Sequence, residues 1–261
     1  MLCDMTLLKE LHKKTFYLAS PDKTILGVIP DPQDKKGTFK LTPYSEISFS
    51  VRKTEENNLI YDQITKMQKV FIEDIGWFIL DEPTVSLDGA SQTKSCQMYS
   101  AEHELTHRML RSFYLNTNDA GSIGNMENGF VEFYNAEAPD KSALHLVLEK
   151  YPGWSIGYVH PLLANKKAIG SFSVDSQDVY SFLTDNLSKA AECLFLFDIM
   201  DFTISAYPLS QFGETFDVYL SHDSLIKSLR CSPVDEDDLI TALAVSGADG
   251  LSCLLYTSRC V

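Results

Sequence analysis

Apolar and polar positions alternate cleanly over EISFSVRK, residues 46–53. Ile47, Phe49 and Val51 face one way and Ser48, Ser50 and Arg52 the other, which predicts a strand with one buried face. The two-residue period recurs on both sides of it. TFYLASPDKTILGVI, residues 15–29, holds two β-rich runs flanking Ser20-Pro21-Asp22-Lys23, a turn with proline at its second position. Pro30-Asp31-Pro32 and Lys36-Gly37 mark a loop. KVFIEDIGWFILDE, residues 69–82, reads as a hairpin turning at Glu73-Asp74 and Gly76. VSLDGASQTKSCQMYSAE, residues 85–102, continues through Asp88-Gly89, a strong hairpin signal. Residues 15–100 therefore predict about six short antiparallel strands, as in a small barrel or sandwich. Ahead of them TLLKELHKK, residues 6–14, carries Leu7, Leu8 and Leu11 on one face of a short amphipathic helix.

The period then lengthens. SAEHELTHRML, residues 100–110, predicts a helix with Ser100 as N-cap and Leu105, Met109 and Leu110 or Phe113 as its apolar stripe. SFYLN returns to strand, and residues 116–129 are polar and glycine-rich, an exposed loop. KSALHLVLEKYPGW predicts a helix capped by Ser142, faced by Leu144, Val147, Leu148 and Tyr151, and ended by Pro152-Gly153. SVDSQDVYSFLTDNLSKAAE predicts another, with Asp175 as cap, Asp178 near the positive end, and Val179, Phe182, Leu183 and Leu187 as the stripe. CLFLFDIMDFTISAY reads as two strands joined at Ile199-Met200, a short helix follows around SLIKSL, and ITALAVSG is a last strand. The fold class expected is α+β. A β-barrel-like domain over 1–115 leads into an α/β insertion over 116–225, and the chain returns to strand over 226–252.

Residues 253–261, CLLYTSRCV, stand apart. Their back-translation resembles a transposase mosaic end used in DNA library preparation, followed by its own reverse complement. They are expected to be an artefact, with the natural chain continuing past Ser252.

Composition narrows the function classes. The 261 residues are 44% hydrophobic and 11% aromatic, enough for a real core. A net charge of −14 argues against a nucleic-acid-binding face and against docking on anionic lipid. No apolar run approaches membrane-spanning length, and the N-terminus has no signal-peptide pattern. Thiols of an unexported protein stay reduced, and the six cysteines form no C-x-x-C pair.

One motif carries candidate chemistry. His103-Glu104-Leu105-Thr106-His107 is H-E-x-x-H. On an α-helix both imidazoles would share one face and bind Zn²⁺, with Glu104 as general base on a zinc-bound water. A zinc site needs a third protein ligand. The extended motif would put glycine at 110 and histidine at 113, where Leu110 and Phe113 stand. Glu127 and Glu132 remain as alternatives but lie in or beside the glycine-rich segment, and Arg108 puts a cation beside the site. A random H-E-x-x-H arises in roughly one chain per hundred. Elsewhere, Asp235-Glu236-Asp237-Asp238 lacks the spaced calcium-loop pattern and reads as a solvated acidic turn. His145 and His160 have no nucleophile motif beside them, Trp154 is expected to anchor a helix in the core, and Cys193 to be a buried, inert thiol. Exposed aromatics on β-domains leave a sugar-binding adhesin as a weaker reading.

Beyond these patterns, TFYLASPDKTILGVI, EISFSV, IGWFILDEPTVSLDG and KSCQMYSAEHEL, in that order, resemble the N-terminal region of phage minor structural proteins. These are the tail hub, or prophage endopeptidase-tail, proteins of siphophages and prophages in Firmicutes. LHLVLEKYPGWSIGYVHPLLANKK, SFSVDSQDVYSFLT, KAAECLFLFD and ALAVSGADGL extend the similarity to residue 251. The resemblance implies a structural baseplate hub at the tail tip, a homotrimer contacting distal tail, tape-measure and receptor-binding proteins. It implies a virion component made in the host cytoplasm, with no catalytic, metal or cofactor residues and no cofactor in this region. Any wall-degrading domain would lie beyond residue 252. The helix of H-E-x-x-H would then be structural, and an acidic lumen would keep passing DNA from sticking. The alternative is a zinc metallopeptidase built on His103, Glu104 and His107.

Overall fold

The computed structural model of the chain describes residues 11–40, 43–89, 91–124, 129–151, 153–164 and 169–211, and the backbone of 242–246 and 252–256. The predicted helix over 6–14 lies largely outside these residues; Leu11–Lys13 is a 3₁₀ turn with Leu11 buried. The chain forms two compact units, Met1–Gly213 and Glu214–Val261.

The first unit opens with β1 (Phe16–Ala19) and β2 (Ile25–Val28). Pro21 fixes the turn between them, which closes with Lys23 N–H donating to Ser20 O at 2.9 Å. The loop expected around Lys36-Gly37 is instead strand β3 (Gln33–Thr38). Its charged and glycine-containing sequence hides the period, yet it pairs with β4 (Glu46–Arg52) as an edge, where polar residues are tolerated. β4 buries Ile47, Phe49 and Val51 as the alternation predicts. After α1 (Asn58–Gln63) come β5 (Lys69–Ile72), β6 (Gly76–Leu80), β7 (Thr84–Asp88) and β8 (Ser91–Ser100). Both predicted hairpins form, with Asp74, Gly76 and Gly89 at positive φ in their turns.

These strands make one eight-stranded sheet in the order β2-β1-β5-β6-β8-β4-β3, with β7 pairing β8. The sheet is open, so the expected barrel is corrected to an unclosed one. It does curl strongly. Phe16 of β1 meets Phe49 of β4 edge-on at 5.3 Å, although three strands separate them in the ladder. Lys35 of β3 lies 4.9 Å from the Phe16 ring centre and donates to His12 O and Lys14 O. Phe16, Leu18, Val70, Ile72, Phe78 and Met98 fill the concave side as a first core.

The predicted α-helix at 100–110 is a 3₁₀ helix, Ala101–His107. Ser100 does not cap it; its hydroxyl donates to Glu102 instead, at 2.6 Å. The 3₁₀ helix connects β8 to β9 (Met109–Leu115), and Met109 is exposed on that strand. β9 pairs antiparallel with β11 (Phe172–Asp178). Residues 176–178, expected to be helical after a cap at Asp175, are thus strand, and the cap moves to Asp178, whose Oδ1 accepts the Ser181 N–H at 2.8 Å. The pairing with β9 overrides the local helical signal. α2 (Ala143–Glu149) keeps its predicted cap at Ser142 and its buried Leu144, Val147 and Leu148. β10 (Ser155–Val159) and α3 (Pro161–Ala164) follow. The helix α4 runs through Val179–Ser181, a π-helical turn Phe182–Leu187, and Ser188–Ala191, ending at left-handed Glu192. β12 (Cys193–Asp198) and β13 (Thr203–Pro208) form the predicted strand pair, with β10 parallel on the far side of β13.

Ala101, Leu105, Leu110, Phe113 and Leu115 belong to a second core with the faces of α2, α4 and β12–β13. In the second unit β14 (Ala242–Ser246) pairs antiparallel with β15 (Ser252–Tyr256), which takes in residues 253–256 of the terminal nonapeptide. The helix expected around SLIKSL lies outside the described residues. No helix among the described residues is long and apolar enough to cross a membrane.

Candidate functional site

The 3₁₀ helix Ala101–His107 sits between the two cores, so the H-E-x-x-H residues occupy a junction. Leu105 and Ala101 are fully buried and fix which side faces inward. A 3₁₀ helix advances three residues per turn, so positions i and i+4 are offset around its axis; the His103 and His107 rings still lie 5.0 Å apart on one side, edge to face.

His103 and His107 border a cleft of about 180 Å³ with Tyr44, Met67, Asp81 and Tyr99. The His103 ring stacks on Tyr99 at 4.6 Å, meets Tyr44 edge-on at 4.4 Å, and stands 5.0 Å from the His107 ring. Its Nδ1 is buried without a hydrogen-bond partner. Burial, and then the neighbouring His107, push its pKa below the ordinary value, against a smaller pull from Asp81. His107 Nδ1 lies beside its own turn, 3.3 Å from Thr106 Oγ1 and 3.4 Å from the His103 carbonyl.

Glu104 is engaged elsewhere. Its Oε2 stands 2.9 Å from Lys69 Nζ, with the two side chains 14% and 8% exposed. Its Oε1 accepts the Trp154 indole N–H at 2.9 Å. A general base needs a free carboxylate oxygen aimed at the reacting water, and both oxygens here hold structural partners. Glu127 lies outside the described residues, and Glu132 accepts from Asn135 at 3.2 Å. Among the described residues, no three His, Cys, Asp or Glu side chains come together closely enough to hold a metal ion.

Next to this motif, Glu102 is 7% exposed, with one oxygen bonded to Ser100 and the other unpartnered. Burial raises its pKa, which favours the neutral acid. The other sequence candidates have local partners or are buried. His145 shares a 2.8 Å hydrogen bond with Ser142 Oγ and stacks on Tyr134. His160 Nδ1 accepts the Leu162 N–H. Trp154 is 4% exposed and Cys193 is 3% exposed, as expected of a core anchor and a buried thiol. Cys96 is also buried, and desolvation pushes its thiol up to about 12. Residues 235–238 lie outside the described residues. Sequence reasoning missed Lys69. Its one signal is a lysine opening the apolar run KVFI, on a strand that proves to be central in the sheet.

The sequence matches no protein-family model and no curated protein. Solved structures do resemble it. A prophage tail protein gp18 from Listeria monocytogenes superposes with a TM-score of 0.56 at 13% identity, over 93% of this chain and 67% of that one. A tail protein from Neisseria meningitidis gives a TM-score of 0.49 at 11% identity, over 94% of this chain and 67% of that one. A prophage MuSo2 tail protein from Shewanella oneidensis gives 0.46 at 10% identity, over 74% of this chain and 52% of that one. The chain is thus an α+β protein built on a curled open sheet. More particularly, it shares the fold of the Listeria prophage tail protein, and it spans between about half and two thirds of the length of the three.

Proposed function

We propose that the chain is a structural component of a phage tail, a hub-like subunit of the tail tip that assembles as a homotrimer. The observation that carries this is the fold held in common with the Listeria prophage tail protein over 93% of the chain. The sheet edges support it. β2 ends the ladder with Ile25 and Val28 each 48% exposed, and β7 carries Leu87 at 76%. Exposed apolar edge strands suit contact between protein chains. The peptidase reading is disfavoured by Glu104, whose carboxylate is bound to Lys69 and Trp154. In a trimer around the DNA path, the acidic excess of the chain would repel phosphates from the lumen wall.

Sedimentation equilibrium of the full chain tests the assembly. A particle three times 29.3 kDa is expected, with Leu87→Asp shifting it toward monomer. A monomer at tens of micromolar overturns the trimer. Zinc-dependent hydrolysis of unstructured peptides, lost in His103→Ala, would overturn the structural role.

A further inference from the structure

Among the described residues the backbone passes from the first core to the second once, between β8 and the 3₁₀ helix. The remaining attachment is non-covalent and gathers at two places: Tyr44, which packs on the second core and meets Tyr180 of α4 edge-on at 5.9 Å, and the tip of the β12–β13 hairpin. Ile199, at that tip, packs against both cores, and its carbonyl accepts the Trp77 N–H at 3.1 Å. Gly76 lies directly beneath it; a Cβ there would stand 2.6 Å from Ile199 Cγ1. Phe202 is 4% exposed and held at φ 56°, a conformation that a bulky residue adopts only when its surroundings enforce it. The surroundings are two ammonium groups and an indole. Lys23 Nζ lies 3.4 Å and Lys69 Nζ 5.1 Å from the ring centre, and the Trp154 ring is 5.0 Å away. Lys69 and Trp154 both then close on Glu104.

We propose that Ala101–His107 is a pivot, and that Lys23, Lys69, Glu104, Trp154 and Phe202 form a latch setting the orientation of the second core on the sheet.

The chemistry suits a latch better than a permanent weld. A buried ion pair recovers little more than its own desolvation, because both charges are well solvated once water reaches them. Lifting the hairpin tip would hydrate Lys69 and Glu104 together, so the open arrangement is not penalised as a purely apolar seam would be. Closed, the same groups are strongly directional: a charge-assisted pair, an indole donor and cations over a ring face. The 3₁₀ helix has weaker hydrogen-bond geometry than an α-helix, so it resists bending less. On its other side lies the cleft bordered by Tyr44, Tyr99 and His103, where Tyr44 also meets Tyr180 of α4 at 5.9 Å.

Native-state hydrogen exchange on the full chain tests this. The Trp77 amide reports the latch directly, because its partner is the Ile199 carbonyl. In Lys69→Met and in Glu104→Gln, exchange at Trp77 and across 199–203 is expected to rise at least tenfold, while amides of the β4–β8 ladder and of α2 keep their parental rates. Unchanged protection at the tip overturns the latch. Equal loss of protection everywhere also overturns it, since the halves would then be one cooperative block. If neither variant folds, Lys23→Gln, on the exposed rim, decides by the same two criteria with a smaller expected rise of about threefold.

Discussion

Replacing Glu104 by alanine separates a structural carboxylate from a catalytic one. The substitution strands Lys69 Nζ, whose side chain is 8% exposed, and removes the acceptor of the Trp154 indole. Removing one partner of a buried pair costs about 3–5 kcal/mol. The unbonded indole N–H adds roughly 1 kcal/mol, at the low end for a buried donor, because Glu104 leaves space that water can enter. Against a total stability of about 5–15 kcal/mol, that loss is severe. For a chain of this size each kcal/mol moves the midpoint by roughly 2–4 °C, so Tm should fall by roughly 8–24 °C. The double variant Lys69→Met with Glu104→Leu removes both charges and fills the space. It should return to within about 2 kcal/mol of the parent, far from the sum of the single losses. Urea unfolding followed by circular dichroism measures all of these. A loss in Glu104→Ala below about 0.5 kcal/mol, the range of ordinary surface substitutions, would refute the argument and return the residue to the candidates for chemistry.

Further predictions follow from the same geometry. His103 has a folded pKa below its ordinary 6.5, so the unfolded chain takes up the proton first on acidification. Its contribution is therefore complete above about pH 6.5 and is lost as the pH falls through the lowered folded value; His103→Gln should flatten that part of the Tm–pH curve. Gly76→Ala strains a residue at φ 127° and drives its methyl into Ile199, so it should destabilise the chain by about 1–3 kcal/mol in thermal melts. Asp178→Ala removes the N-cap of α4 and should cost about 1 kcal/mol, whereas Asp175→Ala should cost less than half of that.

Much of the fold is local and legible for that reason. The alternation in EISFSVRK, the proline turn at Ser20–Lys23 and the tight turns at Asp74 and Gly89 each encode their geometry within a few residues. The Ser142 cap and the strand pair around Ile199-Met200 do so as well. Where a segment's partner lies far along the chain, the pattern misleads. Gln33–Thr38 looks like a loop because an edge strand has no need of an apolar face. Residues 176–178 look like the first turn of a helix capped by Asp175 until β9 claims them. The strands of the first sheet are evident, but whether they close is set by curvature, which no single strand records.

The candidate site shows the same division. Sequence alone placed two histidines and a glutamate at zinc-peptidase spacing, a buried anchor at Trp154 and a strand pair turning at Ile199-Met200, because spacing and turn chemistry are short-range properties. It could not decide what Glu104 does. That depended on Lys69 and on Trp154, the latter fifty residues away in the chain. Only the packing of the two cores brought those groups within 3 Å of the carboxylate. A charge buried there must be paired, so the tertiary structure fixed its partner.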